Sequence, residues 1–199
     1  MADEVQAERR ARIEAAAYEL LIEKGYKSTS MLAVARRAKA SNETMYRWYG
    51  DKVGLFRSLV AVNADRVSQA LSAIEDGPPL DRLRALGPVL LAMVLSERAV
   101  ALNRAAAADM AVDGSLGAAI AEMGRDVVAP QIVQIILQAQ AAGALRKGHP
   151  RDVAEDFIAL LVGDQQIRRV IGALPELSEA DVVVRADRAF DNFLSLWEG

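Results

Sequence analysis

Apolar residues along this chain recur three and four positions apart in segment after segment, and almost nowhere do they alternate with polar ones. That period belongs to helices, and Ala, Leu, Glu, Arg and Gln, all good helix formers, fill most positions. The one β-branched run, Val182-Val183-Val184, sits inside a helical pattern. The chain is therefore expected to be all-α, with about nine helices. The first covers about 5–24, with Ile13, Ala16, Ala17, Leu20 and Leu21 as its inner stripe and Gly25 as its stop. A short second helix follows Thr29-Ser30, where either hydroxyl can cap it. Its Met31, Val34, Ala35 and Ala38 stand at i, i+3, i+4 and i+7, which buries one face. Lys39-Ala40 leaves room only for a tight turn before Ser41 or Asn42 caps a third helix. A fourth runs from about 51 to 74.

Glu75-Asp76-Gly77-Pro78-Pro79 breaks that pattern as a hinge or loop. Five more helices are expected, over about 80–95, 97–112, 115–142, 151–172 and 178–197. Pro88 and Pro130 should kink the first and third of them. The implied division is a head of residues 1–52 and a helical body of 53–199, joined by the long fourth helix.

Composition narrows the chemistry. Hydrophobic residues make up 52% of 199, enough for a packed core. With no cysteine, disulfides, thiolate catalysis and the common zinc fingers drop out. The one histidine, His149, lies at a loop–helix junction and reads as a polar cap. Phosphate-loop and metal motifs are absent, so no cofactor, metal or catalytic residue is expected. The charged start MADEVQAERRARIE is no secretory signal, and no apolar run approaches the ~18 residues of a membrane span. A cytoplasmic protein without a membrane partner is expected. Net charge is −3, but residues 1–60 hold 11 Lys/Arg against 8 Asp/Glu, and the remainder is acidic. A basic head on an acidic body suits nucleic acid.

Two short helices joined by a tight turn and lying on a longer one outline a helix-turn-helix. The first short helix must hold the second rigidly, and the second must send its N-terminal side chains into a major groove about 12 Å wide. Met45 and Tyr49, four apart, can anchor the third helix inward, leaving Asn42, Glu43, Thr44, Tyr46 and Arg47 outward or sideways. Lys52 and the N–H groups of the next helix sit where an anion is welcome. Three of the chain's ten aromatics, Tyr46, Trp48 and Tyr49, crowd into this stretch. One can reach a phosphate oxygen while another wedges the helix in place.

The run GYKSTSMLAVARRAKASNETMYRWYGDKVGLF, Gly25 to Phe56, resembles the DNA-binding head of the TetR family of transcriptional regulators. Gly25-Tyr26, Thr29-Ser30, Val34-Ala35, Ser41, Thr44-Met45-Tyr46, Trp48-Tyr49, Asp51-Lys52 and Leu55-Phe56 carry the likeness without a gap. The resemblance implies a two-fold homodimer on a near-palindromic double-stranded operator, with an effector pocket in the C-terminal helices. It also implies that Asn42 and Arg47 touch base edges, that Thr44, Tyr46 and Lys52 meet phosphate, and that Thr29 does so from the second helix. Trp48 would lie on sugar and phosphate or pack inward; for Thr29, capping alone is the plainer reading. Two positions depart from the family pattern: Lys39 stands in the turn where it has Gly, and Glu43 replaces the Gly of its S-x-G-T run. Because a carboxylate repels phosphate, Glu43 should accept from a cytosine amine or pair with Arg47 or Lys39.

LLAMVLSERAVALNRAAAADM and QAAGALRKGHPRDVAEDFIALLVG, within 80–172, resemble the family's AefR-like C-terminal domain. Among the apolar residues of the last helices, Leu160, Ile167, Ile171, Phe190, Phe193, Leu194 and Trp197 are candidates for a four-helix dimer seam, unless all bury within one subunit. Met93, Asn103, Ala106, Met110, Gln134, Gln138, Phe157, Leu161 and Gln165 are effector-pocket candidates, or else ordinary core. Their low charge favours a small apolar or aromatic effector. The expected function is a ligand-released repressor. Its rivals are a non-specific architectural DNA binder, marked by steep salt dependence without sequence preference, and a helical enzyme.

Overall fold

The computed structural model describes residues 2–74, 77–110 and 114–199. The head begins with α1 (Ala2–Ser28), interrupted at Gly25, whose φ of 73° and ψ of 172° leave the helical region. Then come α2 (Met31–Ala38), α3 (Asn42–Tyr49) and α4 (Lys52–Ser72). Ser30 and Ser41 are the caps, their hydroxyls accepting from the N–H of Ala33 and Thr44. Of the paired choices that the sequence leaves open, the second helix takes Ser30 rather than Thr29, and the third takes Ser41 rather than Asn42.

Beyond Pro78 the expected five helices become seven. These are α5 (Pro79–Leu95), α6 (Glu97–Asp109), α7 (Ser115–Met123), α8 (Ala129–Ala141), α9 (Pro150–Val162), α10 (Gln165–Val170) and α11 (Glu179–Trp197). The expected helix over 115–142 is split by a π-helical turn, Gly124–Val128, just before Pro130. The one over 151–172 breaks at Gly163, whose φ is 52° and ψ −135°. Part of the expected hinge (Glu75, Asp76) and the end of the helix over 97–112 (residues 111 and 112) lie outside the described residues. No single helix among the described residues is long and apolar enough to cross a membrane.

Two compact units divide the chain differently from the expected boundary at 52/53. One is Met1–Val62 with Ala101–Ala121, the other Asn63–Val100 with Glu122–Gly199. The head's core is wider than three helices can supply. Ile13, Ala17, Leu20, Val34, Met45, Leu55, Phe56 and Leu59 are buried, and so are Leu102, Ala105 and Leu116 of α6 and α7. In the other unit Leu83, Leu86, Leu91, Ile132, Ile136, Phe157, Leu161 and Phe193 form a continuous core from α5, α8, α9 and α11.

Candidate nucleic-acid interface

Each reading helix is held from behind. Arg37, on the outer face of α2, hydrogen-bonds Glu19 at 3.2 Å and Glu23 at 2.7 and 2.8 Å on α1. These bonds raise the pKa of Arg37 and hold that of Glu23 below its usual 4.5. Between α2 and α3, Lys39 adopts φ 52° and ψ 40°. It is the one non-glycine among the described residues with positive φ, as its place in the turn requires. A Cβ at position 54 would run into the carbonyl of Tyr49, so Gly54 lets α4 start directly against the end of α3.

On α3, Met45 is fully buried, which is worth roughly 1.5–3 kcal/mol for a side chain of its size. Tyr49 is half-buried, but its hydroxyl is enclosed without a hydrogen-bond partner. Desolvation, with Glu14 adding and Arg10 opposing, pushes its pKa up to about 12. Trp48 packs edge-on to Tyr49 with ring centres 6.4 Å apart, and the Arg10 guanidinium lies 5.4 Å from its ring centre. That favours the inward alternative for Trp48. Asn42, Glu43, Tyr46 and Arg47 stand exposed, Tyr46 at 57%.

Three side chains expected at phosphate are instead turned into the head. Thr29 is buried and its hydroxyl donates to the Gly25 carbonyl at 2.9 Å. Thr44 is buried with its hydroxyl 2.9 Å from that of Ser41. Both are taken up by the turns that start α2 and α3. Lys52 donates to the Tyr26 carbonyl and sits 3.9 Å from the centre of the Tyr26 ring. Burial lowers its pKa, with Asp109 pulling the other way. Glu43 forms no ion pair with Arg47 or Lys39 among the described residues. Arg10 and Asp109, both remote in sequence from the helix-turn-helix, carried no signal in the pattern.

The second unit contains a cavity of about 400 Å³ between α5, α8 and α9. Leu90, Met93, Val94, Val133, Ala154 and Ile158 make its wall apolar, and Arg151 and Glu155 are its charged lining. Of the nine effector candidates, only Met93 lines it. Phe157 and Leu161 fill the core instead. Gln138 accepts from Arg82 at 2.7 Å, Gln134 is exposed, and Gln165 lies against Arg185. Asn103, Ala106 and Met110 belong to the head's unit, with Met110 68% exposed. Among the seam candidates, Phe190 and Phe193 bury inside one chain, because their face of α11 packs on α5 and α9. Leu160, Leu194 and Trp197 are half-buried, while Ile167 and Ile171 on and beside α10 are 56% and 67% exposed. Asp187 and Asp191 pair with Arg84 rather than with the arginines on their own helix.

Comparison with known proteins agrees with this geometry. Residues 13–59 match the bacterial regulatory proteins of the tetR family, and residues 81–198 match the AefR-like transcriptional repressor C-terminal domain. Over 85 residues the chain is 34% identical to the HTH-type transcriptional repressor KstR of Mycolicibacterium smegmatis, 42% of either length. The chain spans about a third to two-fifths of the length of the curated relatives it matches. A TetR-family structure from Mesorhizobium loti is similar over 97% of this chain and 98% of its own, with 25% identity and a TM-score of 0.82. The flavonoid-responsive regulator FrrA is similar over 96% and 98%, with 25% identity and a TM-score of 0.70. Such proteins are transcriptional regulators, not enzymes. The chain, with its helix-turn-helix head and AefR-like C-terminal domain, belongs to the TetR family of bacterial transcriptional regulators.

Proposed function

We propose that this regulator is a repressor that binds a near-palindromic operator as a homodimer and is released by a small apolar or aromatic effector. The observation that carries the DNA half is the outer face of α3. Asn42, Glu43, Tyr46 and Arg47 are exposed there with side chains uncommitted among the described residues, above a Met45 anchor that is fully buried. Arg47 suits guanine, Asn42 suits adenine and Glu43 suits a cytosine amine, while the Tyr46 hydroxyl reaches phosphate. Thr29, Thr44, Trp48 and Lys52 hold these residues in place from behind.

The effector half is supported by the apolar cavity in the body, whose 400 Å³ falls within the ~300–1,000 Å³ of small-molecule sites. Similarity to a flavonoid-responsive regulator favours an aromatic occupant. For the dimer, Ile167 and Ile171 with Leu160, Leu194 and Trp197 give an apolar strip to cover. Two heads on one operator must sit roughly 34–36 Å apart, and an effector acts by favouring another spacing.

The test is fluorescence anisotropy on a duplex selected from genomic fragments, against a scrambled duplex at two salt concentrations. Wild type should bind the selected duplex preferentially. Tyr46→Ala should bind it about tenfold more weakly, a loss of about 1.4 kcal/mol, with helicity unchanged. Equal affinity of the folded variant would overturn the assignment.

A further inference from the structure

Asp109 ends α6, and a carboxylate at a helix C-terminus faces the unfavourable end of the dipole. It is also 1% exposed, so burial adds to the penalty. Two arrangements offset this. Its Oδ2 accepts from the Leu116 N–H at 3.1 Å, in the first turn of α7, where an anion is favoured. Its charge also acts on Lys52, the first residue of α4. Lys52 in turn grips Tyr26 by both carbonyl and ring. That same carbonyl accepts from the Thr29 N–H at 3.2 Å, so it is the corner from which α2 departs. The Tyr26 ring stacks edge-on against Phe56 of α4, centroids 5.0 Å apart. All of these residues lie in one compact unit.

We propose that Asp109 is a positioning residue for DNA reading: it fixes the α6–α7 corner and supplies the negative charge against which the Lys52 clamp holds the turn between α1 and α2. Lys52 then serves the interface without touching phosphate. The proposal rests on the DNA-binding reading above, but one of its readouts does not.

Asp109→Asn keeps an acceptor for Leu116 while removing the charge, and Lys52→Met keeps the stem while removing the ammonium. On the selected duplex, each variant should bind about tenfold more weakly with the wild-type salt slope. The double variant should be no weaker than the weaker single one. If Lys52→Met lowers the salt slope by about one unit while Asp109→Asn binds like wild type, Lys52 is a phosphate contact and the proposal falls.

The DNA-free readout is the titration of the Lys52 ammonium by NMR, which Asp109→Asn should move to lower pH; an unmoved titration overturns the proposal. Should Asp109→Asn not fold, the Lys52 resonance of wild type decides. It should be the same with and without duplex, and a DNA-induced shift of that ammonium refutes the clamp. If wild type binds no duplex at all, the regulator reading fails by itself, and the lysine titration still judges the clamp.

Discussion

Lys39 occupies the left-handed region in the turn between α2 and α3, where a side chain costs about 1 kcal/mol relative to glycine. Lys39→Gly should therefore stabilise the fold, by less than about 1 kcal/mol because glycine also loosens the unfolded chain. A urea midpoint checks the gain, and DNA affinity should fall together with the lost positive charge. Tyr49 is the complementary case, since its enclosed hydroxyl has no partner. Tyr49→Phe should raise stability by roughly 1 kcal/mol and leave DNA binding intact; a lower unfolding midpoint would contradict it. The strain at Lys39 was legible in the sequence because two residues between helices force a tight turn. The inward turn of Thr29, Thr44 and Lys52 was not. A hydroxyl beside a cap and a lysine at a helix start fit a phosphate and an internal acceptor equally well, and only the neighbours choose.

At the scale of elements, α2 is held to α1 by the fork of Arg37 on Glu19 and Glu23. Arg37 holds the Glu23 carboxyl below its usual 4.5, first through the hydrogen bond and then through charge. A depressed folded pKa means stabilisation that is present above 4.5 and lost as pH falls through the folded value. Glu23→Gln should thus lose less stability than wild type between neutral pH and pH values below that range, as thermal melts at both ends would read. Most helices were legible, from α2 with its buried Met31, Val34, Ala35 and Ala38 to α11. The two splits were not. The apolar period runs straight across Gly163, and a π turn adds one residue without altering composition. Phe190 and Phe193 show the same limit. Periodicity says that a face is buried, and it cannot tell a neighbour in the same chain from a partner subunit.

For the whole molecule, the exposed pair Ile167 and Ile171 carries the assembly prediction. Ile167→Glu with Ile171→Glu should leave the helical content unchanged, because neither side chain is in the core. It should also give a monomer at micromolar concentration by light scattering, with operator affinity falling as the paired half-sites lose their paired reader. A dimer that survives both substitutions would place the seam elsewhere. The head's dependence on Ala101–Ala121 bears on how such regulators are recombined. Its hydrophobic core is closed by Leu102, Ala105 and Leu116, residues that follow about forty others of the second unit in the chain. A chimera that transplants only the N-terminal helices onto another body leaves that wall behind and brings in a foreign one. DNA specificity in this protein is therefore not a cassette with a single splice point. An exchange has to carry the α6–α7 corner along with the helix-turn-helix, or redesign the surface where the two meet.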